Sequence, residues 1–301
     1  MTFMPPLSAT VAMHPTRGER WPPARWIRRA YRRASPASIG AAGFLVVVVL
    51  VAIAPSALTR SDPNQMDPVA VLGAPSIAHP FGTDEFGRDI LTRVVFGART
   101  SLSYALLATA IGSILGTSIG VTAGFYGGRV DNVVMRGVDI LLAFPGILLA
   151  LIVVTLLGPG LTNAMIAVGI GQAPAFSRVV RGATLGVKTS QYVEAAQGLG
   201  ATGARVIWRH VVPNVRHVVF VLGSLGYGTA ILIGASLSFL GLGAQPPTPE
   251  WGSMLETARG YLQTDWWIGI WPGAVLGATL LSINIVGDLL RDILDPSLRL
   301  E

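Results

Sequence analysis

The chain has 301 residues, of which 51% are hydrophobic and only 13% charged, and its mean hydropathy is +0.57. Soluble domains carry roughly a quarter charged residues, so this balance excludes a water-soluble enzyme and, despite a net charge of +6, a surface-reading nucleic-acid domain. The absence of Cys excludes disulfides, thiolate nucleophiles and Cys-held metals, and His14, His79, His210 and His217 are too dispersed to predict a metal cage.

In chain order, residues 1–34 form an Arg- and Pro-rich tail that predicts a disordered cytoplasmic segment facing anionic lipid. A spanning helix needs about 20 apolar residues. Uncharged runs of that kind recur along the chain, and Ile140 to Ser177 would make a helix of roughly 57 Å, nearly twice the hydrocarbon thickness. That run must therefore turn, and Gly158-Pro159-Gly160 is the natural place. The reading is an all-α polytopic membrane protein with six transmembrane helices, near 37–58, 102–124, 134–157, 161–180, 217–239 and 267–288. Ala52-Ile53-Ala54 would suit a signal cleavage site, but the apolar run is long for a signal and Pro55 follows it, so the segment is read as a retained span.

With the N-terminus inside, the inner segments hold 17 of the 22 Lys and Arg residues; Arg60, Arg88, Arg93, Arg99 and Arg259 fall outside. The excess of inner cations predicts that both termini are cytoplasmic. The spans offer little chemistry. Asn163 is read as a helix cap, Gln172 as an interhelical hydrogen bond, and Asp139 and Asp288 as solvated or paired with Arg136 and Arg291. Without ionisable groups at mid-membrane a proton-coupled carrier is disfavoured. Gly182 to Thr189 superficially resembles a phosphate-binding loop, but Gly186 comes one residue early and Val187 stands where the second glycine is required. This chain is therefore expected to be no enzyme and to bind no cofactor.

The inner connection between the fourth and fifth spans is the most informative stretch. Thr189-Ser190 predicts a cap for a short helix from about Gln191 to Leu199 with Glu194 near its positive end; Gly200 permits a turn, and Ala204 to His210 predicts a second short helix before Pro213 opens the fifth span. Ala195, Ala196, Gly198 and Gly200 are small enough for another protein to approach the backbone closely.

Glu194-Ala195-Ala196, Gly200 and Pro213, at this spacing in an inner loop, resemble the cytoplasmic signature of ATP-binding-cassette importer permeases. His210 and Val212 depart from the general pattern but suit the peptide and nickel branch, with its His-hydrophobic-hydrophobic-Pro-Asn ending. Two outer stretches resemble the second permease of dipeptide, oligopeptide and nickel importers: His79 to Arg93, and Ser238 to Gly243 continuing through Gln245-Pro246-Pro247 to Trp251-Gly252. The likeness covers about residues 35–298, divided into a first helix with its outer loop (35–99) and a five-helix core (100–298) carrying a coupling loop at 186–214.

The resemblance implies a type I importer permease fold. It implies that Glu194, Ala195, Ala196, Gly198, Gly200 and Pro213 couple to ATPase subunits; Asp84, Arg88, Asp89, Arg93, Gln245 and Trp251 are read as outer docking or gating positions, with a purely structural role as the alternative, preferred for the loop of Gln245 and Trp251 over direct substrate contact. Implied partners are a second homologous permease, two nucleotide-binding ATPase subunits or one fused ATPase, an extracytoplasmic substrate-binding protein, and the bilayer of the inner membrane. ATP and magnesium would be held by the ATPases. The spacing of Asp84, Arg88, Asp89 and Arg93 predicts one short interfacial helix whose charges pair. Peptides are the expected cargo, with nickel or another small solute as the alternative and an ATPase-independent channel or carrier as the rival class.

Overall fold

The computed structural model describes residues 35–59 and 61–294, so the tail at 1–34, Arg60 and the end from residue 295 lie outside the described residues. Among the described residues the only β pairing is the single antiparallel bridge between Thr83 and Asp89. The helices are α1 (Pro36–Ile53), α2 (Pro55–Leu58), α3 (Ile90–Tyr126), α4 (Gly128–Leu142), α5 (Gly146–Leu157), α6 (Leu161–Lys188), α7 (Gln191–Gly198), α8 (Gly203–Val206), α9 (Val212–Phe239), α10 (Trp251–Ala258) and α11 (Trp267–Leu294).

Two long helices organise the molecule. α3 has 37 residues, and α6 has 28. Every fourth residue of α3 from Gly112 to Gly124 is glycine, and together these form a stripe along one face. A Cβ on Gly112 would lie 2.9 Å from Gln172 Cβ, on Gly116 2.3 Å from Phe176 Cβ, on Gly120 2.9 Å from Val180 Cβ, and on Gly124 2.9 Å from Thr184 Cβ. The glycines thus bring the two backbones into direct apposition, the means by which helices associate where lipid removes any hydrophobic drive between them. Contacts advance together along both chains, so α3 and α6 run parallel. The intervening chain must then travel back along the pair, which α4 and α5 do.

That return is where the expected spans need correction. The segment read as one span at 134–157 is broken at Ala143 to Pro145, and α4 and α5 meet at a bend of 94°. Pro145 lacks the N–H that an unbroken helix would use there. Among the described residues four helices are long and apolar enough to cross a membrane: Pro36–Ile53, Ile90–Tyr126, Gly203–Phe239 and Trp267–Arg291; the bent pair would make a fifth. α6 is long enough but less apolar. The turn at Gly158-Pro159-Gly160 lies where expected, between α5 and α6. Asn163 does cap there, its Nδ2 donating to the carbonyls of Leu157 and Gly158 at 2.9 and 3.2 Å.

α9 runs antiparallel to α6, with Gln172 Nε2 donating to Gly226 O at 3.0 Å and Gly234 against Met165; α11 packs back on α9 with Gly228 against Ile283 and Gly287 against Leu225. α1 packs on α3 and α11, with Val48 buried as part of the central apolar cluster. Asp139 pairs with Arg178 of α6 and not with Arg136, and Asp131 is held by both Nε and Nη2 of Arg181. These pairs tie α4 to α6 where a same-helix partner would have tied nothing.

Candidate functional site

At the end of α3 and α6, the backbone builds a projecting element. Ser190 adopts the extended conformation of an N-cap, but its Oγ donates back to Val187 O at 2.5 Å and does not cap α7. Glu194 lies in the first turn, where the helix dipole favours a carboxylate. The far end of α7 closes as a Schellman turn: Gly200, at φ +82°, donates its N–H to Gln197 O at 2.9 Å, and Ala201 donates to Ala196 O at 3.0 Å. The expected turn at Gly200 is thus present, with a definite hydrogen-bond pattern.

One side of α7 is anchored and the other is bare. Val193 is fully buried with Val121 and Phe125 of α3, Val180 of α6, and Val206, Val211 and Val215. Glu194, Ala195, Gly198 and Gly200 are exposed, and Ala196 is half-buried. Around them Leu199 is 90% and Trp208 74% exposed, a concentration of apolar surface at a charged end of the molecule. Sequence reasoning passed over these two because neither belongs to the spacing pattern; a large apolar residue inside a polar inner loop was the available signal.

The second short helix expected before Pro213 is not separate. Gly203 to Phe239 is one helical run containing a π segment at Ile207–Val211, in which Val212 N–H bonds to Ile207 O. A proline inside an α-helix removes a hydrogen bond and clashes with the preceding turn. Here the register changes directly before Pro213, and Asn214 Nδ2 donates to His210 O at 2.5 Å. The helical run therefore passes from the loop into the long helix without a break at the proline.

The opposite end of α3 carries the residues expected on the outer side. Asp84 to Asp89 do not form the predicted interfacial helix: Asp84 to Gly87 is a turn, Gly82 and Gly87 hold positive φ, and Asp89 is the N-cap of α3, accepting from Thr92 N–H and Oγ1 at 2.8 and 2.7 Å. The reason is local, since Asp84 Oδ1 accepts the N–H groups of Phe86 and Arg88, both at 2.9 Å, and so competes with helical bonding. The predicted charge pairing is present at Asp84, whereas Asp89 meets His79 Nδ1 at 3.1 Å and neither arginine. Arg88 Nε donates to Asp84 Oδ2 at 2.7 Å, Arg93 Nε lies 3.5 Å from the same oxygen, and Arg88 also reaches Glu85. Asp84, Arg88 and Arg93 are nearly fully buried.

Arg93 stitches the two outer segments together, its Nη1 donating to Pro63 O at 3.0 Å and to Pro247 O at 3.4 Å. Trp251 is fully buried against Gly97, its Nε1 donating to Val94 O at 3.0 Å. Gln245 folds back on its own loop through Gly241 O and Gly243 O. A cavity of about 220 Å³ opens between Glu85, Arg88, Arg93, Gln245 and Glu256. Burial, with Asp84 nearby, raises the Glu85 carboxyl above the ordinary carboxylate range. Sequence reasoning left out Glu85, a member of this network, and the buried Glu250, which accepts from Ser101 Oγ at 3.0 Å beside Trp251. The i+1 and carboxylate-before-Trp positions carry no spacing signal.

Residues 116–300 match the family model described as binding-protein-dependent transport system inner membrane component. The dipeptide transport system permease protein DppC of Alkalihalophilus pseudofirmus is 42% identical over 274 residues, 90% of each chain. Glutathione transport system permease proteins GsiD are similarly related: that of Pectobacterium atrosepticum is 42% identical over 90% of this chain and 91% of its own, and that of Escherichia coli O6:K15:H31 is 43% identical over 90% and 89%. Among solved structures, inward-facing conformations of the MetNI methionine ABC transporter share the fold at a TM-score of 0.56 and 20% identity, over 68% of this chain and 97% of that one.

Proposed function

Since the chain belongs to the family of inner membrane components of binding-protein-dependent transport systems, we propose that it forms, with a second related permease, the pathway by which an ATP-driven importer takes up short peptides. The relatives named for dipeptide and glutathione transport support a peptide cargo. ATPase subunits on the cytoplasmic side hydrolyse ATP; an external binding protein delivers the solute. This chain holds neither ATP nor magnesium.

The observation that carries the reading is α7, pinned through Val193 to the ends of α3 and α6 while Glu194, Ala195 and Gly198 face outward. ATP binding moves a permease only if it stabilises one arrangement over another, so a rigid lever must join the ATPase surface to the membrane helices. α7 with its Schellman turn is that lever, and the run from Gly203 to Phe239 is its second arm. From Arg93 to Phe125 along α3 is roughly 48 Å, enough to connect the outer network to the coupling end through one helix.

Six crossings follow if the bent α4–α5 pair is one and α6, lying in parallel register with α3, is another. Both termini are then cytoplasmic, as the arginine distribution argues. The outer network around Asp84, Arg88, Asp89 and Arg93, with Gln245 and Trp251, frames the mouth at which the binding protein docks or which closes behind the solute. Among the described residues no three His, Asp or Glu side chains converge as a ligand set, so nothing there favours nickel over peptide. The test is proteoliposomes holding this chain, its partner permease, the ATPases and the binding protein. Dipeptides or glutathione should stimulate ATP hydrolysis together with uptake; stimulation by Ni²⁺ alone would overturn the peptide reading.

A further inference from the structure

α1, α3, α9 and α11 leave between them a groove of about 530 Å³ with an almost wholly apolar lining. Leu45 and Val48 of α1, Leu106 of α3 and Phe220, Gly223 and Tyr227 of α9 line it. Gly223 faces open space, since an added Cβ would meet nothing within 4 Å, and Phe220 is 66% exposed on the rim. All four helices pass the length and apolarity test for membrane spans, so the groove opens at membrane depth.

One end of this groove carries two arginines, with the carboxylate of Asp288 directly after the lining residue Gly287. Arg216 precedes Phe220 by four residues and Gly223 by seven, which sets it on the same stripe of the helical run as the lining. Arg291 follows Gly287, a lining residue of α11, by four. Because α9 and α11 run antiparallel, with Leu225 against Gly287, the start of α9 and the end of α11 lie at the same end of the groove. Both arginines are exposed, and among the described residues Arg216 makes no ion pair.

We propose that this groove is a binding site for one anionic glycerophospholipid, an acyl chain lying along Gly223 and its phosphodiester held by Arg216 with Arg291 beside it. Basic positions between spanning helices at the cytoplasmic face recognise anionic headgroups by this combination. A lipid phosphate supplies the anion that Arg216 lacks among the described residues. The inference rests on the helices crossing the bilayer, not on which solute is carried.

The test places p-benzoyl-phenylalanine at Phe220 of the full chain, irradiates it in the intact bacterial membrane with its partners present, and weighs the adducts. Phospholipid adducts should dominate, with anionic species enriched about fivefold over their share of the membrane. R216Q should return that composition to the bulk share while R216K keeps the enrichment, and Gly223→Trp, filling open space, should abolish the lipid adduct. Adducts to a protein helix, or lipid adducts of bulk composition in the unaltered groove, would overturn the proposal. Peptide uptake is a separate readout, so failure here leaves the transport reading standing.

Discussion

A φ of +82° at Gly200 makes this the position in the coupling loop where a side chain is most directly refused. A β-branched residue resists that region of conformational space, so Gly200→Val opens the Schellman turn and tilts α7 away from its anchor. We expect normal insertion but ATP hydrolysis without solute movement, or loss of the ATPases on purification. Glu194→Ala should be milder, since an exposed charged contact contributes about 1 kcal/mol or less, and should be measurable as a modest fall in coupled uptake. At the outer end, Glu85 titrates above the ordinary range because burial penalises its charge. A carboxyl whose folded pKa is raised binds protons more readily folded than unfolded, so the outer network is least stable above that pKa and gains stability as pH falls through it towards the ordinary value. E85Q should raise the melting temperature at neutral pH and flatten its pH dependence above the ordinary carboxylate value. An unchanged or steeper pH profile would show that Glu85 is not the responsible group. These residue roles differed in legibility: Gly200 was readable because a turn glycine has a conformational reason, whereas the burial of Asp84 and Arg93 depends on Pro63 and Pro247, remote in sequence.

At the scale of elements, the glycine stripe of α3 governs the α3–α6 contact. Gly116→Leu puts side-chain atoms where Phe176 Cβ and Ala173 O already lie within 3 Å of the first added carbon. Overpacking of that kind costs about 1–3 kcal/mol or more, so the variant should melt lower in detergent and accumulate poorly. Gly182→Ala meets nothing within 4 Å and should change neither. Equal behaviour of the two would show that α3 and α6 are not in close apposition. The four-residue glycine period stood in the sequence as a packing signal, yet reading the chain for apolar length alone left it unused. The break between α4 and α5 was missed for a related reason: hydropathy sums over Pro145 without noticing that it ends a helix. The merging of α8 with α9 was hidden too, because a π segment at Ile207–Val211 lets a proline enter a helical run that local rules would stop.

For the whole molecule, composition and the spacing of apolar runs made the membrane-spanning all-α fold legible, and the inner-loop spacing made the family legible. What neither could supply was the path of the chain between parallel α3 and α6, since that follows from long-range packing. The absence of Cys makes the resulting topology directly accessible. Single cysteines at Ser76, Thr162 and Thr248 should react with an impermeant thiol reagent in intact cells, while one at Ser190 should react only after the membrane is opened. Labelling at Ser190 from outside would reverse the orientation. The most direct test of ATP-coupled transport through α7 is uptake in proteoliposomes, measured with peptide, binding protein and ATP, for the unaltered chain and for Gly200→Val inserted at equal levels. Coupling through α7 predicts ATP-dependent uptake by the former and ATP hydrolysis without uptake, or no bound ATPase, for the latter. Wild-type rates of uptake by Gly200→Val, or uptake by the unaltered chain without any ATPase subunit, would contradict it.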